Sequence, residues 1–361
     1  MNGKAHLVEA LRWSTDTEVR LIDAVIASVG MAGPVLLATA AGHPSLGLAA
    51  SLGSLMIGAV GTTSSLRTQV KELAWVLTPA ALASVAATLL AGQGWQTDVG
   101  VMALACLAAA IGGYSRLLAV ATTRFILFLI MVSHAVAATS HPVGLLALIA
   151  TGALWTTMLN LLLGTVERVR RRTDLAGSTH APLTTAGMPP TATQRFNRWR
   201  KSLTRLSGWQ YTLRLALCLG AAWWLRALWP HHHFYWIALT VAILIRRQIE
   251  VLPIQATQRA IGTACGVLAA SLFLAHRPSG FGLALAIALL SAARPLLKVR
   301  NYLAYSTVMT PLVILILGSI EPLDGGVVRD RLAATVLGVA LVVATNFGLR
   351  RLATPQLSPG R

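Results

Sequence analysis

Residues 234–270, FYWIALTVAILIRRQIEVLPIQATQRAIGTACGVLAA, decide how the rest of the chain is read. Two apolar runs flank a short segment that holds Arg246, Arg247 and Glu250, with Arg259 a little further on. This pattern predicts a helical hairpin in a membrane. Phe234, Tyr235 and Trp236 carry the rings that favour a membrane–water interface, and the arginines of the turn favour the opposite, cytoplasmic face. After Arg259, Gly262 and Gly266 stand four apart on one side of a helix, where they let another backbone approach closely. Thr263 beside them is a candidate donor of an interhelical hydrogen bond.

The composition supports the same class. Of 361 residues, 55% are hydrophobic and only 12% charged, and the mean hydropathy is +0.66; a soluble domain of this size carries about twice that share of charge. A formal net charge of +18 raises nucleic acid as a partner. That needs basic residues gathered on a solvated surface, whereas here they recur between apolar runs, so no nucleic-acid partner is expected. Cys106, Cys218 and Cys265 lie singly inside apolar runs, which supports neither a disulfide framework nor a metal site. No metal or other cofactor is expected. The adjacent His231, His232 and His233 do not converge on one ion without a special loop.

The organisation along the chain is expected as follows. Residues 1–20 mix Glu9, Asp16 and Glu18 with Arg12, so they read as an interfacial helix rather than a cleavable leader. Residues 21–164 hold six apolar runs, the first with Pro34 at its middle, and two runs, at 46–61 and 234–245, are short for a full crossing. Residues 165–208 form a hydrophilic basic linker. Residues 209–350 hold six further runs in the same order, and residues 351–361 are a tail. Gly152 with Gly338 and Asn160 with Asn346 repeat at one offset, and Arg116 and Arg300 are each expected to open a fifth run. The fold expected is thus all-α and polytopic: about twelve membrane helices of roughly 20 residues each, in two parallel six-helix repeats about a pseudo-twofold axis. Basic residues gather in alternate turns and in the linker, which places both termini and the linker in the cytoplasm.

With the RxxGTxxG sequence from Arg259 to Gly266 and the two six-run halves in view, the chain resembles the fusaric-acid-resistance-type, or aromatic acid exporter, family of bacterial inner-membrane proteins. The resemblance is strongest from Phe234 to Ala270 and at the Arg300 run. In the first half it is weaker, since Lys71 to Ala91 has Thr78-Pro79 and no GTxxG. It implies an inner-membrane protein that exports small organic, often aromatic, anions. The family's distant similarity to plant malate channels adds a passive anion channel to the readings. Many family members carry large cytoplasmic domains, where this chain has the linker.

Ionisable side chains within apolar runs are the first candidates for a transport pathway. Asp23 and Arg214 occupy the opening runs of their halves, so one reading pairs them at the pseudo-twofold axis, with Asp23 as a protonatable gate on an anion site at Arg214. The other reading lets both snorkel to the cytoplasmic interface. Arg116 and Arg124, with Arg300 in the second half, suit a carboxylate path because guanidinium groups bind carboxylates through two parallel hydrogen bonds; Arg116 and Arg300 equally suit topology anchors. Asn160 and Asn346 suit either substrate contact or packing, and Arg259, Gly262, Thr263 and Gly266 are read as packing and topology residues. Phosphate loops, nucleophile elbows and metalloprotease motifs are absent from the sequence, so no enzymatic role is expected. The expected partners are the lipid bilayer and a small organic anion, with coupling to protons and a homo-oligomeric state left open. The competing readings are a passive anion channel and a non-transporting scaffold or accessory subunit.

Overall fold

The computed structural model describes residues 13, 20–60, 65–174, 191–230, 232–245, 252–317 and 325–353. Those residues are all-α with no strand. The helices are α1 (Leu21–Ala40), α2 (Pro44–Ile57), α3 (Leu66–Leu90), α4 (Trp95–Ile111), α5 (Arg116–Ala137), α6 (Pro142–Asp174), α7 (Ala192–Leu203), α8 (Leu206–Leu228), α9 (Tyr235–Leu244), α10 (Leu252–Ala275), α11 (Gly280–Arg300), α12 (Tyr302–Leu317) and α13 (Gly325–Ala353). Their starts follow from local chemistry. Ser65, Ser115, Thr191 and Ser279 each accept a hydrogen bond from a backbone N–H of the first turn, at α3, α5, α7 and α11, and Pro44 opens α2 where its missing N–H costs nothing.

Among the described residues seven helices are long and apolar enough to cross a membrane: α1, α3, α5, α6, α10, α11 and α13. Four shorter apolar helices, α2, α4, α9 and α12, lie among them. Many large apolar side chains face outward, among them Leu82, Leu89, Leu154, Leu217, Leu268, Leu272 and Leu289. Water would penalise such a surface and hydrocarbon does not. Together these features define a multi-pass membrane protein.

Within residues 21–174, α2 packs against α1, α6 and α3; α3 packs against α5 and α6; α1 meets α6 and α4 meets α5. Within residues 206–353, α9 packs against α8, α13 and α10; α10 packs against α12 and α13; α8 meets α13 and α11 meets α12. Between these two groups α1 lies along α11, α8 along α4, α2 along α12 and α9 along α5. One buried apolar cluster, including Val35, Leu52, Leu129, Leu215, Ile237 and Leu312, runs through both groups. Helices in lipid gain little from burial against each other and rely on close backbone approach. Gly152 supplies it: a Cβ there would collide with the carbonyl of Ala50, and Ser54 Oγ donates to Gly152 O at 3.0 Å across the same contact.

Helices α2 and α9, of 14 and 10 residues, span roughly 21 and 15 Å at 1.5 Å per residue, against about 30 Å of hydrocarbon. An interrupted helix leaves carbonyls that lipid cannot satisfy. At the end of α2 the protein satisfies them itself. Gly58 turns the chain at φ 61°, the Asn160 amide donates to Gly58 O at 2.9 Å, its Oδ1 accepts from Val60 N at 2.9 Å, and Arg294 Nη2 stands 3.5 Å from Leu55 O.

Three sequence expectations change. Arg300 does not open the fifth run of the second half; it is the last residue of α11, because Asn301 caps α12 by accepting from Ala304 N at 3.1 Å, as Ser115 caps α5. The first boundary of the linker is no break, since α6 runs past residue 164 to Asp174. Within the expected linker, residues 192–203 form α7, and α8 begins at Leu206. Except for Trp13 and Arg20, the expected interfacial helix at 1–20, the turn with Arg246, Arg247 and Glu250, and most of the tail lie outside the described residues.

Candidate anion site

Among the described residues three arginines are buried, Arg214, Arg259 and Arg331, at 4%, 5% and 1% exposure. The one buried acid is Asp330. All four lie in α8, α10 and α13, so the membrane-embedded charge is concentrated in the second half of the chain.

Arg259 and Arg331 occupy the cluster formed by α9, α10, α12 and α13. Arg331, in the second turn of α13, lays its guanidinium over the indole of Trp236 on α9, with Cζ 3.7 Å from the ring centroid. Arg259, on α10, reaches α12, where its Nη1 stands 3.4 Å from Ser306 Oγ. The two positive charges are close enough to act on each other. Their donors are left over: Arg331 Nε and Nη1, Arg259 Nε, Trp236 Nε1 and the hydroxyls of Thr240 and Thr263 are all buried without a hydrogen-bond partner. A buried unpaired charge costs several kcal/mol or more, and each unmet polar group adds about 1–3 kcal/mol.

Asp330 does not relieve this. Its carboxylate turns to the loop before α9, accepting from His233 N at 2.9 Å and pairing with His232 Nδ1 at 2.8 Å and His233 Nδ1 at 3.1 Å. Arg329 Nε is 3.9 Å away and largely exposed. The acid therefore ties the start of α9 to α13, and among the described residues Arg331 and Arg259 have no carboxylate partner. What the cluster offers is cationic N–H donors, an indole face and hydroxyls in a site of low dielectric, the donor set that binds a carboxylate or another small anion.

The structure brings some of the sequence candidates together. Arg214 Nη1 donates to Asn346 Oδ1 at 2.9 Å, and its Nε to Gln210 O at 3.0 Å. Asp23 is half-buried in the first turn of α1, and the charge beside it is Arg20; α1 packs on α11, whereas Arg214 sits on α8 against α13. Asn160 is wholly buried and spends its side chain on the end of α2. Arg124 is half-buried on α5, Arg116 is exposed at the start of α5, and Arg300 is half-buried with its Nε unmatched. Gly262 and Gly266 lie against α12, at Leu303 with Ser306 and at Thr307 with Thr310. Trp236 and Arg331 were not among the sequence candidates. Their signal was present in the sequence as an aromatic cluster at a run's start and an Arg-Asp-Arg segment at another's.

A bundle that is all-helical among the described residues, with many apolar outward faces and buried arginines, is a multi-pass membrane protein. Residues 220–345, which contain Arg259, Arg331 and Trp236, match the family described as fusaric acid resistance protein-like. The match covers about a third of the chain, all of it in the second half, and suggests a membrane protein related to efflux or transport. No curated protein and no solved structure matches the chain.

Proposed function

We propose that the protein exports small organic anions across a bacterial inner membrane and that Arg259 and Arg331 hold the anion during passage. The observation that carries this reading is the imbalance of buried charge among the described residues: three arginines against one aspartate that is already engaged by two histidines. An anionic guest is the simplest way to offset that imbalance. Phe234 at the start of α9, Tyr235 and Ala238 of α9, His134 of α5 and Trp223 of α8 line a cavity of about 320 Å³ on the neighbouring side of α9, whose one acid among the described residues, Asp98, is paired with Arg226 at 3.2 Å; it suits a waiting position for a small organic acid. Arginine-rich turns at one face support cytoplasmic termini.

The architecture we propose is a duplicated six-helix unit in which α1 to α6 correspond to α8 to α13. Most packing pairs of one group recur in the other under that correspondence, with α3–α4 and α5–α6 the exceptions, and the caps Ser115 and Asn301 share one offset with Asn160 and Asn346. Both asparagines also bond back to the carbonyl four residues earlier. At the same offset Arg259 falls on Leu73 and Arg331 on Leu145, both buried. The first unit would then be the scaffold and the second the transporting unit.

The test is flux in proteoliposomes with a panel of carboxylates, with and without a pH gradient and a membrane potential. Anion flux lost in Arg331→Gln supports the site. Flux that follows potential and ignores a pH gradient identifies a passive channel, and no movement of any solute refutes transport.

A further inference from the structure

The second basic feature of the molecule lies away from the buried arginines. Helix α7 is short, basic and two-sided: Phe196, Trp199 and Leu203 recur at helical spacing, between Arg195, Arg198, Arg200 and Lys201. Its position is fixed. Trp199 Nε1 donates to Ala110 O in the last turn of α4 at 3.2 Å, and its ring meets Tyr114 edge-on with centroids 6.2 Å apart. At the other end Trp209 Nε1 donates to Leu203 O at 2.7 Å and Gly208 N to Arg205 O at 3.0 Å, which closes the corner into α8.

Between α7 and the α4–α5 turn lies a cavity of about 400 Å³. Arg116, Arg195 and Arg198 line it together with Tyr114, Trp199 and Ser202, and among the described residues no acid does. The N-terminus of α5, capped by Ser115, also opens here and adds its partial positive charge. Three guanidinium groups in one cavity favour a phosphodiester that they can bind through paired hydrogen bonds.

We propose that this cavity binds the headgroup phosphate of an anionic phospholipid. Two observations favour a lipid over a soluble phosphate. Helix α7 turns within two residues into α8, whose Leu213 and Leu217 face outward, which holds the cavity at headgroup depth. Phe196, 47% exposed, stands 5.8 Å from the Trp199 ring beside the arginines and offers apolar surface to the first carbons of an acyl chain. Among the described residues the charged lining is all arginine, which favours a net negative headgroup over a zwitterionic one.

The experiment is native mass spectrometry of the full-length protein with phosphatidylglycerol or phosphatidylcholine added. One phosphatidylglycerol should be retained about tenfold more than phosphatidylcholine, a difference of about 1.4 kcal/mol. The Arg116→Gln/Arg198→Gln variant should lose that preference. Arg200→Gln/Lys201→Gln removes the same charge from residues that do not line the cavity and should keep it. Arg198→Lys, which retains the charge but not the paired geometry, should fall between the two and serves where the double variant fails to fold. Equal retention of the two lipids, or equal loss in both double variants, overturns the proposal. Inorganic phosphate that binds through Arg116 and Arg198 without displacing lipid assigns the cavity to a soluble anion and overturns it as well.

Discussion

Arg331 lies 3.7 Å from the centre of the Trp236 ring, with its Nε and Nη1 buried and unmatched. The indole face offsets part of the desolvation of the charge, by about 0.5–2 kcal/mol, which is less than burial of a guanidinium costs. On the proposed function, an anion bound between Arg331 and Arg259 would offset the remainder. That makes Arg331 a residue expected to weaken the fold while it serves binding.

A sharp prediction follows for Arg331→Leu, the residue type found at Leu145 in the proposed matching position. It should abolish anion flux, yet raise stability or leave it unchanged, within about 1–4 kcal/mol in the stabilising direction. Thermal unfolding in detergent and flux in proteoliposomes measure the two effects separately. A variant that unfolds more readily and still carries anions would contradict the assignment.

For Trp236 the indole face and the indole N–H can be separated. Trp236→Phe keeps a ring under Arg331 and removes the unmatched Nε1 donor, so stability should change by less than about 1 kcal/mol, because Phe is the weaker cation–π partner but leaves no orphaned donor. Trp236→Leu removes the ring and should cost about 2–4 kcal/mol as packing and the cation–π contact are lost together. Apparent affinity for the transported anion, measured by concentration dependence of flux, should weaken more in Trp236→Leu than in Trp236→Phe.

The helical membrane class was legible because hydropathy is a local property: each apolar run announces itself without knowledge of its neighbours. The family was legible in the Arg259 to Gly266 segment, which lies inside the matched region. The site was less so. Arg259 stands next to a pair of glycines and reads as packing, and Arg331 stands in an Arg-Asp-Arg segment and reads as a topology marker. Only the assembly of α9, α10, α12 and α13 buries these arginines, and only the turning of Asp330 toward His232 and His233 removes the acid that the sequence places beside Arg331. Asn160 shows the converse: a buried amide in an apolar run looks like a pathway residue until its bonds to Gly58 and Val60 are seen.

Those bonds give Asn160 a measurable structural role. Asn160→Leu leaves Val60 N and Gly58 O without their partner at the end of an interrupted helix, at about 1–3 kcal/mol for each unmet group. The unfolding temperature should drop accordingly, and hydrogen exchange should accelerate at residues 58–60. Asn160→Asp keeps the acceptor for Val60 N and loses the donor to Gly58 O, so its loss should be smaller if the acid is protonated and larger if it is charged.

The pairing of Arg214 with Asn346 bears on a choice that sequence spacing left open. Arg214 shares a 2.9 Å hydrogen bond with Asn346, and Asp23 lies on a helix packed elsewhere, beside Arg20. Double-mutant cycles distinguish the two relationships. Arg214→Gln with Asn346→Leu should show a coupling of about 0.5–3 kcal/mol in stability, as expected for residues in contact. Arg214→Gln with Asp23→Asn should be additive to within about 0.5 kcal/mol, as for residues that share no partner. Strong coupling in the second cycle would restore an Asp23–Arg214 gate and require a second arrangement of α1 and α8. Additivity there, with coupling to Asn346, would place Arg214 as a clamp between α8 and α13 and leave Arg259 and Arg331 as the cations available to a transported anion.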